Sequence, residues 1–174
     1  SLGGAIDPQL SPDGRRVAYV RDRDLYVVDL SSQDERRLTH SEHPAVSNGL
    51  AEFVAQEEMS RFSGFLWAPD SRHLVFEESD TRPVETFHIV DAAHPERSPA
   101  TAPYPRPGKD NARVRVGVLA LDGGTGAAAP RWLRWDHDRF PYLATMRWSE
   151  NAPLTLVVQT RDQRELEVLA YDED

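Results

Sequence analysis

One local pattern occurs three times along the chain and restricts what it can fold into. Gln9-Leu10-Ser11-Pro12-Asp13-Gly14 leads into Arg15-Arg16-Val17-Ala18-Tyr19, and Leu66-Trp67-Ala68-Pro69-Asp70-Ser71 leads into Arg72-His73-Leu74-Val75-Phe76. A degraded copy, Arg147-Trp148-Ser149-Glu150-Asn151, leads into Leu154-Thr155-Leu156-Val157-Val158-Gln159. A Pro-Asp-Gly turn before an alternating, β-branched run predicts a strand entered through a tight turn. Behind the first copy, Leu25–Leu30 and Arg36–Thr39 continue the alternation, and Glu165–Tyr171 does so behind the third. A self-similar meander of four antiparallel strands is the sequence signature of a β-propeller blade.

The copies begin at Leu10, Trp67 and Trp148, farther apart than the ~40–50 residues of a bare blade. Inserts must therefore separate them. In the stretch 45–63, Leu50, Phe53, Val54 and Met59 fall at near-helical spacing, which predicts a short helix near residues 50–60. The stretch 92–111 is rich in proline and ends Tyr104-Pro105-Arg106-Pro107-Gly108, which predicts an extended connector. Gly123-Gly124-Thr125-Gly126 predicts a hairpin turn. The expected fold is thus all-β, a partial β-propeller of about three four-stranded blades with one short helical insert. The blade-like units run over 1–44, 64–135 and 140–174, the insert over 45–63, and about ten to twelve strands are expected in all. Radial propellers close with about 4–8 blades, so the chain reads as part of a single, larger propeller domain.

Composition removes several function classes. Twenty basic residues stand against 29 acidic ones, for a net charge of -9. Nucleic-acid binding draws most of its affinity from a basic face, so a polyanion partner is excluded. Cysteine is absent, which excludes disulfide scaffolds, thiolate zinc sites and cysteine nucleophiles. Mean hydropathy is -0.59, and no apolar run approaches the ~18 residues of a membrane span. The opening Ser-Leu-Gly-Gly has no basic n-region or apolar h-region. The expectation is a soluble protein without a signal peptide, in a bacterial cytoplasm or periplasm.

No serine has glycine two positions before it, so no G-x-S-x-G nucleophile elbow is encoded. His40-x-x-His43 and Asp136-His137-Asp138 lie outside any helical metal motif. No catalytic residue, metal site or cofactor is expected in this chain. Gln56-Glu57-Glu58 is different. By spacing alone, adjacent carboxylates read as a solvated helix face. They also read as a cation clamp, because neighbouring carboxylates repel and a bound ammonium relieves the repulsion.

Several segments resemble the propeller of dipeptidyl peptidase IV-like enzymes, in the prolyl oligopeptidase superfamily of serine peptidases. These are Asn48-Gly49, Glu52 to Met59, Gly64-Phe65-Leu66-Trp67-Ala68-Pro69-Asp70, and Tyr104-Pro105 through Gly108 to Asn111, in the family's order. The Gln-Glu-Glu form is most similar to the bacterial and dipeptidyl peptidase 8/9-like branches. The resemblance implies a propeller that recognises and gates substrate above a C-terminal α/β-hydrolase domain. It implies that Glu57 and Glu58 hold the α-amine of a peptide with Pro or Ala second, so that X-Pro or X-Ala dipeptides are released. It also implies homodimers in many relatives. The hydrolase domain and its triad are not in the chain, so the parent is expected to be the peptidase and the chain alone inactive. The family's arginine for the substrate carbonyl has no matching position, and Leu66 stands where many members have a second tryptophan. A stand-alone propeller scaffold for protein–protein contacts is the alternative, and the Gln-Glu-Glu insert argues against it.

Overall fold

The computed structural model describes residues 4–121 and 129–172. Strands β1 (Ile6–Leu10), β2 (Arg16–Arg21), β3 (Asp24–Asp29) and β4 (Glu35–Arg37) form a four-stranded antiparallel meander. Then come β5 (Val46–Asn48), helix α1 (Phe53–Glu58), β6 (Phe65–Trp67) and β7 (His73–Asp80). β8 (Thr86–Ile89) and β9 (Ala100–Pro103) follow, with β10 (Arg113–Ala120) and β11 (Arg131–Trp132) behind them. The second sheet runs β11-β10-β7, and both β5 and β6 pair with the far side of β7. β12 (Tyr142–Arg147), β13 (Leu154–Gln159) and β14 (Leu166–Tyr171) make the third sheet. These consecutive, unclosed antiparallel sheets are the partial propeller that the repeats predict.

The repeat holds at the level of individual hydrogen bonds. Gly14 N donates to Ser11 O, Ser71 N to Ala68 O and Ala152 N to Ser149 O, so the three copies make the same turn. Left-handed backbone occurs in each turn, at Gly14, Ser71 and Asn151. In the first two copies the Asp carboxylate, Asp13 or Asp70, accepts from the backbone two residues on. That local bond favours the turn over continued strand.

Period-two alternation explains how the sheets stack. On β7, Leu74 and Phe76 face the first sheet and meet Val20, Leu25 and Val27. Val75 faces the third sheet, among Val116, Leu143 and Leu156. Both faces of β7 are therefore buried. Gly117 on β10 leaves the space that the Phe76 ring fills; a Cβ there would lie 2.7 Å from it. The indole of Trp67 donates to Gln9 O at 3.1 Å, tying the first two sheets together.

Three features depart from the sequence reading. There are fourteen strands among the described residues, more than the ten to twelve expected. The extra strands lie in and beside the inserts. Val46–Asn48, placed in the insert by sequence, pairs with β7, so the helical segment interrupts the first strand of the second sheet. The stretch 92–111 holds no helix but is not extended throughout: it turns where His94 N donates to Asp91 O, Arg97 N to His94 O and Lys109 N to Arg106 O. Within it, Ala100–Pro103 pairs with Thr86–Ile89 as an exposed hairpin. Pro103, which has no N–H to give, ends this edge strand, where proline is tolerated. The Gly123–Gly126 turn lies outside the described residues.

Candidate functional site

The helix carrying Gln56-Glu57-Glu58 is six residues long, too short to be stable in isolation. Tertiary anchors hold it. Val54 and Ala55 are its buried face. At its start, the buried Glu52 carboxylate caps the helix, accepting from Val54 N and Ala55 N at 2.7 Å each. Gln56 Nε2 donates to Ala51 O at 2.6 Å. At its end, Met59 N and Arg61 N both donate to Ala55 O.

The entry and exit of this segment are fixed with equal care. Asn48 Nδ2 donates to Asp24 Oδ1 at 2.9 Å, and its backbone N donates to Arg23 O. Gly49 has φ +83° and packs against Leu25. The two legs then cross at Gly64, where a Cβ would lie 2.2 Å from the backbone carbon of Leu50. The Asn-Gly and Gly-aromatic pieces thus have structural reasons: they bring a loop out of one broken strand and back.

Beneath the helix is a charged cluster that sequence reasoning missed. Glu77, wholly buried on β7, accepts from Glu52 N at 2.9 Å and meets Arg61 Nη2 at 2.6 Å. Burial pushes the Glu77 carboxyl up to about 7, while the Arg61 cation opposes the shift and the Glu52 carboxylate adds to it. Glu52 is likewise raised by burial, against the pull of its two helix N–H groups. The available signal was a glutamate directly after Leu74-Val75-Phe76, in a strand whose neighbours predict burial on both faces.

Glu57 and Glu58 themselves are exposed. The side chain of neither makes a hydrogen bond or ion pair with any described residue. Both occupy the C-terminal end of the helix, where the dipole is negative, and no basic residue sits in the last turn. Each carboxylate there costs a fraction of a kcal/mol. A cleft of about 810 Å³ lined by Asn111, Arg113, His137 and Arg161 does not include them. Tyr104, from the family-like Tyr104-Pro105 segment, meets the exposed Phe53 of the helix edge-on at 5.2 Å and Phe87 of β8 at 5.8 Å. His43 accepts from Ala45 N, and His137 lies against Trp135.

Comparison with known proteins agrees with this architecture. Residues 3–174 match the family described as the dipeptidyl peptidase IV N-terminal region. Dipeptidyl peptidase 8 of Mus musculus is 29% identical over 140 residues, covering 70% of this chain and 16% of that protein. Dipeptidyl peptidase 4 of Felis catus is 31% identical over 117 residues, covering 64% of this chain and 15% of that protein. The chain therefore spans about one-sixth of the length of these relatives. The crystal structure of Porphyromonas gingivalis dipeptidyl peptidase 4 matches with a TM-score of 0.84 at 24% identity, over 97% of this chain and 24% of that one. With the family match running over nearly the whole chain, the protein belongs to the dipeptidyl peptidase IV N-terminal region family.

Proposed function

We propose that this chain is the substrate-recognition and gating part of a serine exopeptidase that releases N-terminal X-Pro or X-Ala dipeptides. Glu57 and Glu58 bind the substrate α-amine. The observation that carries this reading is a pair of unpaired carboxylates at the wrong end of a rigidly anchored helix. Two acids beside a negative dipole, with no internal cation, break a local rule without a structural gain. A bound cation supplies the gain. The α-ammonium of a peptide, with a pKa of about 7.7–8.0, is largely charged at neutral pH. It carries three N–H donors for two carboxylates, and such charge-assisted bonds are about twice as strong as neutral ones.

In this reading the nucleophile belongs to a C-terminal α/β-hydrolase domain, and the described residues do no bond-breaking chemistry. The distance from amine to nucleophile then counts residues: two fit. The test is cleavage of Ala-Pro and Gly-Pro chromogenic reporters by the full-length protein and by the 174-residue chain. Turnover by the full-length protein and none by the chain is expected. Turnover by the chain that disappears when one of its own serines is replaced contradicts the proposal.

A further inference from the structure

Glu77 is placed so that one residue touches the whole clamp-bearing segment. Its backbone O accepts from Gly49 N and its backbone N donates to Gly64 O, each at 2.7 Å, so it holds both legs of the loop. Its carboxylate takes Glu52 N, at the start of the helix, and Arg61 Nη2, just past its end. Arg61 is itself tied on four sides. Its backbone N donates to Ala55 O, Nη1 donates to Ser63 O at 3.2 Å, and Nη2 donates to Leu143 O at 2.9 Å while meeting Glu77. Leu143 is on β12, in the third sheet, so the ion pair fixes the helix relative to two sheets at once.

This is an expensive way to fill a core. Both charges leave water: the Arg61 side chain is 10% exposed and that of Glu77 0%. Arg61 Nε is buried without a hydrogen bond. Buried ion pairs are often no more stabilising than apolar residues of the same volume. Here the Glu77 Oε2 that meets Arg61 has no hydrogen bond, and direction comes from Glu77 Oε1 accepting from Glu52 N and from Arg61 donating to Ser63 O and Leu143 O. Glu57 is five residues from Glu52 and four from Arg61, and the same bonds that fix those two fix the helix between them.

We infer that Arg61 and Glu77 are positioning residues, a buried ionic strut that holds helix α1 at the orientation in which Glu57 and Glu58 receive the substrate amine. The inference rests on the amine-clamp reading. The strut touches no substrate; it acts through the helix.

The test uses the full-length protein and three variants: the volume-matched apolar double replacement Arg61→Met with Glu77→Met, and the singles Arg61→Lys and Glu77→Gln. Three quantities are measured for each: melting temperature, kcat and KM for Ala-Pro reporters, and hydrogen exchange at the Val54–Met59 amides. The double variant also leaves Glu52 N, Ser63 O and Leu143 O without these partners, so it should fold but melt several degrees below wild type. It should raise KM tenfold or more with kcat within about twofold, and accelerate exchange at Val54–Met59 at least tenfold. Arg61→Lys keeps the charge but not the reach to Ser63 and Leu143, and should give an intermediate KM. Should the double variant fail to fold, Arg61→Lys, which keeps a cation beside Glu77, carries the same comparison. Folded variants with wild-type KM, or with wild-type exchange in the helix, overturn the inference. Glu57→Gln and Glu58→Gln run alongside. If they leave wild-type KM unchanged while the strut variants loosen the helix, the clamp reading is what has failed, and the positioning role fails with it.

Discussion

Asn48 hands its side-chain amide to Asp24 across 2.9 Å, so the last residue of β5 is held by the first sheet just before the chain leaves for the helix. Asp24 is the hub of that joint. It also accepts from Thr39 Oγ1 at 2.7 Å, Ser41 N at 3.0 Å and Arg37 Nη2 at 2.6 Å. Burial pushes its carboxyl up, but bonds from Thr39, Ser41, Arg37 and Asn48 together hold it below the usual range.

Replacing Asp24 with Asn keeps the shape but turns one acceptor oxygen into a donor facing donors. The loss should be about 3 kcal/mol of unfolding free energy at pH 6. A folded-state pKa below the unfolded value gives stability that is present above the unfolded pKa and lost as pH falls through the folded one. Wild type should therefore lose this contribution below about pH 4, and Asp24→Asn should not. Denaturant unfolding at pH 6 and pH 3 measures both; equal stability of the two proteins at pH 6 would refute the joint.

Glu77 has the opposite sign. Its carboxyl is raised to about 7 from 4.5, so between those values the folded state holds a proton that the unfolded state has released, and the pair with Arg61 carries both charges above about pH 7. Stability from this group is full below the unfolded pKa and declines as pH rises toward 7. Glu52, raised in the same direction, and Arg61, whose cation opposes the shift, are the charged groups facing it. Glu77→Gln should remove much of the decline in stability between pH 4.5 and 7. An unchanged pH slope in the variant would show that Glu77 is ionised throughout.

Gly64 marks the crossing of the two legs of the helical segment. The three atoms nearest a Cβ there are all backbone, Leu50 C at 2.2 Å and Ala51 N at 2.5 Å among them, and these cannot swing aside as a side chain can. Gly64→Ala should cost about 3 kcal/mol. Gly4→Ala, where nothing lies within 4 Å, is the control and should be nearly silent. Equal melting temperatures for the two variants would contradict the crossing.

The sheets were legible because a repeated Pro-Asp turn and period-two alternation are local signals. Leu154–Gln159 was read to the residue, and the helix at Phe53–Glu58 fell within its expected window. What was not legible depended on contacts distant in sequence. Nothing local tells that Val46–Asn48 pairs with residues 78–80, or that two of the family-like segments meet at Phe53 and Tyr104. Glu57 and Glu58 were visible as a charge pair, and the resemblance implied a role for them that the proposed function takes up. Their support was hidden, since Glu52, Arg61 and Glu77 look like ordinary charged residues until the fold buries them together.

The clamp itself is tested most directly by its dependence on substrate charge. In the full-length protein, Glu57→Gln and Glu58→Gln are compared with wild type on Ala-Pro and acetyl-Ala-Pro reporters, with melting temperatures as the folding control. A charge-assisted bond to an ammonium is worth about 1.5–3 kcal/mol, so each variant should lose roughly ten- to a hundredfold in kcat/KM on the free amine. The acetylated substrate, a poor one from the start, should lose much less. Wild-type kcat/KM on the free-amine reporter in both folded variants would mean that Glu57 and Glu58 are only a solvated helix end.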